Sequence, residues 1–359
     1  MTDTIIFYTR RTRPRAWARK MLRLAGLLLS VAMASVLTTG CVREEQFDNT
    51  PQGNLDDLWT IIDEHYCFLD YKQQAIGLNW DYVHTRYSQR LRGDMKSAQL
   101  FEVLAAMVSE LRDGHVNLYA AHDMARNWSW HEDYPANFSQ ELQDAYLGTD
   151  YKIAASIRYR ILDDNIGYVV CSSFSSGIGE GNLDEVFYAL RTCNGLILDV
   201  RDNSGGDLTN ADRLARRFTN ERRLVGYISH KTGKGHSDFS TPEAQYLEPS
   251  EGVRWQKRAV VLTNRSCYSA TNTFIRDVSQ CPLVTILGDQ TGGGSGLPFS
   301  SELPNGWSVR FSACPMFDAA MNHIEFGIAP DTLVSLNDAD KARGIDTLIE
   351  CARTLINAK

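Results

Sequence analysis

The chain has 359 residues, 43% of them hydrophobic and 23% charged, with a formal net charge of −7. That apolar fraction supports a packed core and excludes a disordered or fibrous protein, and the length predicts two globular units rather than one. The acidic balance argues against a nucleic-acid partner and against charge-driven binding to anionic membrane.

Arg10, Arg11, Arg13, Arg15, Arg19, Lys20 and Arg23 precede an apolar stretch over 24–37 that ends at Thr38-Thr39-Gly40-Cys41, the layout of a targeting segment. Residues 1–40 resemble a bacterial lipoprotein signal, with Cys41 as the lipidated residue and the cell envelope as the destination. Thr38 stands where Leu is commoner, and Met21 is an alternative start. A cleaved secretory signal and a retained helix are the competing readings, but the stretch falls short of the roughly 20 apolar residues that span a bilayer. Removing 1–40 takes away seven basic residues against Asp3 alone, moving the net charge from −7 to −13. Cys67, Cys171, Cys193, Cys267, Cys281, Cys314 and Cys351 then remain, without the C-x-x-C pairs of a zinc site, and read as small buried hydrophobes.

Leu55, Leu58, Ile61, Ile62, His65 and Leu69 recur at helical spacing, and residues 81–91 and 97–111 continue in that style. They predict a small helical domain over 41–120 whose last helix delivers Glu110-Leu111-Arg112-Asp113-Gly114-His115. Residues 121–165, with Trp128, Trp130, His131, Tyr134 and Tyr146, read as a connecting or cover segment. Residues 152–162 and 165–171 predict a strand pair across Asp163-Asp164, and 166–359 alternate strand and helix as a parallel-sheet α/β core does. The cluster Arg213, Arg216, Arg217, Arg222 and Arg223 reads as a solvated helix face or a clamp for a peptide carboxylate. The polar stretch 231–246 reads as a mobile surface loop.

Two segments carry the chemistry. Gly195-Leu196-Ile197-Leu198-Asp199-Val200 reads as a buried strand opening into Arg201-Asp202-Asn203-Ser204-Gly205-Gly206, where open α/β sheets place their sites. The strand at 258–263 opens likewise into Asn264-Arg265-Ser266-Cys267-Tyr268-Ser269-Ala270, just before a predicted helix at 271–278. A hydroxyl there lies in a field that favours negative charge, which makes Ser269 a candidate nucleophile and the Gly205 and Gly206 amides a candidate oxyanion hole. The alternatives are a plain N-cap serine and a plain glycine turn. Cys267 is a rival nucleophile, and Asp199 and Asp202 fit roles holding the glycine loop.

Together these segments resemble the tail-specific (C-terminal-processing) and tricorn-type serine peptidases, which share a strand ending D-x-R-x-N-x-G-G and a later Ser-Ala pair opening a helix. Glu110-Leu111-Arg112-Asp113-Gly114-His115 and Glu325-Phe326-Gly327-Ile328-Ala329-Pro330-Asp331 match the same family in the same order. The resemblance covers roughly residues 50 to 355 and implies a ClpP/crotonase-like α/β core over 166–359, with 121–165 too short for the PDZ domain that many relatives carry. Members with a Ser/Lys dyad place the lysine where this chain has Gly294, and no lysine occurs between Ser269 and Lys341. The tricorn-type positions fall instead on His115 as base and Glu325 as its orienting carboxylate, with Gly205, Gly206 and Ala270 as oxyanion donors. His323, two residues from Glu325, is the main rival base. The resemblance implies a polypeptide substrate and neither metal nor organic cofactor, and leaves the oligomeric state open. A silent ligand- or peptide-binding protein of the same fold is the alternative function.

Overall fold

Apolar runs with no polar side have to be covered on both faces, and three of the predicted strands are: Ile166–Cys171, Gly195–Asp199 and Ala259–Thr263 are buried at every residue. The computed structural model describes residues 47–126 and 132–358. The expected targeting segment at 1–40, Cys41, Trp128, Trp130 and His131 lie outside the described residues. The three buried strands sit inside a seven-stranded sheet ordered Thr332–Leu333, Val284–Gly288, Ala259–Thr263, Gly195–Asp199, Ile166–Cys171, Ile157–Ile161, Lys152–Ala154. Pairing is parallel as far as Ile166–Cys171 and antiparallel in the last two steps.

Side-chain alternation divides the sheet's two faces. Leu196, Leu198 and Val261 face a cluster with the helices Glu180–Leu190, Leu208–Ala215 and Ala270–Val278, whereas Ile197, Val260 and Leu262 face Thr347–Asn357. The core is thus the expected ClpP/crotonase-like α/β layer structure, preceded by a small helical region.

A second, six-stranded sheet runs Met124–Arg126, Asn117–Tyr119, Ser308–Asp318, Arg223–Ile228, Glu243–Leu247, with Gly296–Glu302 also paired to Ser308–Asp318. Four helices, Pro51–His65, Leu69–Ile76, Trp80–Ser88 and Ser97–Ser109, bury their apolar stripes together with Leu303, Trp307, Val309 and Phe311 of this sheet region. The helices and the core, expected as separate domains, therefore share one compact unit from Phe47 onward. The helical stripe is incomplete until residues some 200 positions later cover it.

Other expectations shift for local reasons. The predicted strand at 152–162 reverses at Ala155, whose φ is 53°, into Lys152–Ala154 and Ile157–Ile161, so the large sheet begins inside the segment read as a cover. The loop at 231–246 is pinned rather than free: His236 meets Asp63 at 2.7 Å, Lys234 meets Glu64 at 2.6 Å, and Glu243–Leu247 is a strand. Arg217 is buried on Glu180, Asp184 and the Val253 carbonyl, so it belongs to the core and not to a solvated face.

The carboxyl end of the glycine-loop strand is fixed by a buried cation. Arg201 donates to Asp199 through Nε at 2.9 Å and Nη2 at 2.7 Å, and through Nη1 to Asp346 at 3.0 Å. Asp346 also caps the helix Thr347–Asn357 by accepting from the Leu348 and Ile349 amides. Burial would raise the Asp199 carboxyl, but Arg201 and the Gln143 and Tyr168 hydrogen bonds outweigh it and hold it below the usual range. Arg201→Met leaves two buried carboxylates without their cation and is expected to cost about 3–5 kcal/mol, read as a lowered urea midpoint.

Candidate active site

Neighbouring parallel strands bring the two motifs together. Gly195–Asp199 pairs with Ala259–Thr263 from Leu196↔Ala259 to Asp199↔Leu262, so their following loops open side by side at the carboxyl edge of the sheet. Asn264 Oδ1 accepts from the Asp202 amide at 3.0 Å, and the Asn203 carbonyl accepts from the Tyr268 amide at 3.2 Å. Gly205, with φ of 101°, approaches so closely that a Cβ on it would stand 2.7 Å from the Tyr268 carbonyl oxygen and 2.9 Å from Ser269 Cβ. Only glycine fits there.

Ser269 is not a capping serine. It precedes the helix Ala270–Val278 with φ 58° and ψ −120° and makes no side-chain cap hydrogen bond. A non-glycine residue in that region is strained, and such strain gathers where a side chain must be aimed. Its Oγ lies 2.9 Å from His115 Nε2. The Gly205 amide donates to Asn203 Oδ1 at 2.9 Å, which takes it out of the predicted oxyanion hole. The Gly206 amide takes no part in the neighbouring Phe174 bridge, whose bonds use Gly205 O and the Asp207 amide, which leaves Gly206 and Ala270 of the three expected donors.

His115 arrives from the other sheet. After Ser97–Ser109 the chain turns through Arg112, with φ 47°, and Asp113 Oδ1 accepts from the His115 amide at 2.7 Å before the strand Asn117–Tyr119 begins. Asp113 also accepts from Tyr268 Oη at 3.2 Å, Tyr66 Oη at 3.0 Å and Ser312 Oγ at 2.9 Å. Despite burial, its carboxyl is held low by Lys72, His115 and the hydrogen bonds from the His115 amide and Ser312. Burial lowers His115 below its ordinary 6.5, Asp113 opposes that, and Arg310 adds to it. The Nδ1 atom of His115 is buried without a hydrogen-bond partner.

Glu325 lies in the same buried region but makes no ion pair with His115. Its Oε1 accepts from Lys72 Nζ at 3.0 Å and its Oε2 from the Ser295 amide at 3.0 Å. His323, in an isolated antiparallel bridge to Phe317 rather than in a strand, stacks on Tyr71 at 4.1 Å and has no bond to Ser269. Cys267 is fully buried, donates to the Val200 carbonyl at 3.1 Å and is pushed up to about 12 by burial, which removes it as a nucleophile. Beside Tyr268, Gly292 and Glu325 opens a cavity of about 310 Å³ whose walls include Arg112, Arg265 and Phe326.

Two participants carried no role in the sequence reading: Asp113, quoted in its motif, and Lys72, which sits with Leu69 on the buried side of Leu69–Ile76. A lysine on the apolar stripe of a short helix was the available signal.

A model of peptidase family S41 matches residues 165–334, and one of the tricorn protease C1 domain matches 47–109. The crystal structure of a candidate peptidase from Parabacteroides merdae ATCC 43184 is 53% identical, covers 87% of this chain and 98% of its own, and superposes with a TM-score of 0.83. The chain belongs to peptidase family S41. It is 24% identical over 186 residues to the carboxy-terminal processing protease CtpA of Bacillus subtilis (strain 168), covering 51% of this chain and 38% of that protein. A carboxyl-terminal-processing protease of Synechocystis is 27% identical over 185 residues, covering 48% and 40%. The chain thus spans about two fifths of the length of these curated relatives. Mature CPAF shares the fold, with a TM-score of 0.65 at 12% identity over 86% of this chain and 96% of its own.

In this S41 chain the glycine-rich loop at 292–296 locks the site. Gly293 O accepts from the Ser269 amide at 2.9 Å, and the Glu325 carbonyl accepts from the Gly294 amide at 3.0 Å. Gly293 has φ of 88°, and a Cβ there would collide with the Glu325 carbonyl. Gly293→Ala is expected to displace both residues and cut turnover by on the order of 100-fold while a cooperative thermal transition persists, measured by peptide hydrolysis and circular dichroism.

Proposed function

We propose that the protein is a cell-envelope serine peptidase that hydrolyses peptide bonds of proteins or peptides. The observation that carries this reading is the 2.9 Å contact between Ser269 Oγ and His115 Nε2, with Ser269 held in a strained turn at the head of the helix Ala270–Val278; the amides of Gly206 and Ala270 are the proposed oxyanion donors. Ser269 Oγ attacks the carbonyl carbon while His115 Nε2 takes its proton, and the oxygen that becomes negative is met by the two amides. His115 returns the proton to the leaving amine, and water, deprotonated by the same ring, then releases the acyl group. Asp113 fixes the backbone that carries the ring, and Glu325 completes the triad as a charge in the same buried cluster, acting without a direct bond to His115.

A silent binding protein of the same fold would have no use for this pair. Incubation with a fluorophosphonate probe and peptide mapping is expected to show modification at Ser269, absent in Ser269→Ala. His115→Ala is expected to lose about as much rate as Ser269→Ala, because residues that act as one unit are not additive. Since the base must be neutral, labelling is lost on the acid side and shows no further rise at lysine-like alkaline pH. Clean, folded wild-type protein that stays unlabelled between pH 5 and 9 would favour the binding reading.

We further propose lipidation at Cys41 after removal of 1–40, supported by the basic and apolar run that precedes it. Among the described residues no helix is long and apolar enough to cross a membrane. Mass spectrometry is expected to find a mature protein beginning at a diacylated Cys41 in the membrane fraction, with Cys41→Ser unprocessed or soluble. An unmodified N-terminus downstream of Cys41 in freshly broken cells would refute it.

A further inference from the structure

Lys72 is completely buried, on a helix remote in sequence from every catalytic motif. Its ammonium has three outlets. It donates to Glu325 Oε1 at 3.0 Å and to the Arg112 carbonyl at 3.0 Å, and it lies 4.2 Å from the centroid of the Phe326 ring. Each contact falls on a residue within three positions of His115 or on Glu325 and its neighbour. A buried ion pair is a poor device for stability alone, since an apolar side chain of similar volume often serves as well.

We infer that Lys72 is a positioning residue of the active site: it holds the Glu325 carboxylate in place and ionised, so that the cluster around His115 carries the negative charge that a protonated imidazole requires. This rests on the reading of Ser269 and His115 as the reacting pair.

The charge count supports the assignment. Asp113 and Glu325 are the carboxylates of the cluster and Lys72 is its ammonium. Tyr66, Tyr71, Tyr268 and Cys67 face Glu325 as groups whose ionisation burial suppresses, and Arg310 acts on His115 from the second sheet. With His115 neutral the two anions and one cation leave a single net negative charge, and when His115 takes the Ser269 proton the cluster becomes neutral. Without Lys72 the two carboxylates would share a dry site, and one of them has to take up a proton. Asp113 accepts four hydrogen bonds and keeps its charge. Glu325 is the one that yields. Burial first, and Asp113 second, already push it up to about 7, with Lys72 as the leading counterweight.

Lys72→Met is therefore expected to lose rate at neutral pH, as Glu325→Gln does, but to regain it where alkaline pH ionises Glu325. The test is the second-order rate of fluorophosphonate labelling at Ser269 as a function of pH, with circular dichroism on each variant. In the wild type the rate is expected to rise through a midpoint near the Glu325 value of about 7. In Glu325→Gln the lower remaining rate follows His115 alone, with a midpoint below 6.5. Lys72→Met should lose roughly fivefold or more at pH 7, move the midpoint up by about one unit or more, and recover at alkaline pH. The Lys72→Met/Glu325→Gln double variant leaves Asp113, with its four hydrogen bonds, as the one charge of the cluster and should match Glu325→Gln in rate and midpoint, because the inferred role of Lys72 runs through Glu325. A folded Lys72→Met with wild-type rate and midpoint would overturn the inference. If that variant does not fold, a double variant whose loss far exceeds that of Glu325→Gln would overturn it equally. Wild-type protein with no labelling at Ser269 removes the peptidase reading and this inference together, whereas labelled wild type with indifferent Lys72 variants removes the inference alone.

Discussion

The Asp113 carboxylate joins four segments that the chain has no other reason to bring to one point. It accepts from Tyr66 on the first helices, Ser312 on the second sheet, Tyr268 on the serine loop and its own neighbour His115. A buried anion demands that each oxygen be satisfied, so this one fixes where those segments can sit. The helical region is consequently part of the site's construction rather than an appendage. Tyr66 and Lys72 enter from it, and the sheet residues that close its apolar stripe, Val309 and Phe311, lie on Ser312's own strand.

The glycine and serine motifs were legible because they obey rules that act locally. A continuous apolar run requires a strand covered on both faces, and an abrupt change to Asn, Asp and Gly marks where it ends. Parallel neighbours then put those ends on one edge, so Gly205 and Ser269 could be paired from sequence although 64 positions apart. His115 was legible only through its motif, since no local rule aims a ring at a serine 154 residues away.

What stayed hidden depends on partners that are remote in sequence. Lys72 reads as an ordinary polar residue on a helix until Glu325, 253 positions later, turns up beside it. The Ser269 backbone angle is set by the Gly293 carbonyl and the close passage of Gly205, neither of which periodicity reveals. The single compact unit was missed for the same reason, because an amphipathic stripe states that it must be covered without stating by what. Gly205 failed as an oxyanion donor through its own motif: Asn203, two residues away, already uses that amide.

Gly294 is consistent with the proposed role of His115 as the base. In dyad members of the resembling peptidases a lysine occupies that position. Here Gly294 has φ of 76°, and a Cβ on it would run into the Tyr268 ring. The ring fills the place from which a lysine would approach Ser269, and its hydroxyl is engaged by Asp113 at 3.2 Å. It also lies 5.1 Å, centroid to centroid, from the His115 imidazole. A tyrosine adjacent to the serine, a glycine on the facing loop and a histidine after Asp113 therefore form one correlated choice. Restoring a lysine at 294 alone would place a long side chain on a left-handed backbone against an aromatic ring held by a buried carboxylate, and the serine would still face the histidine.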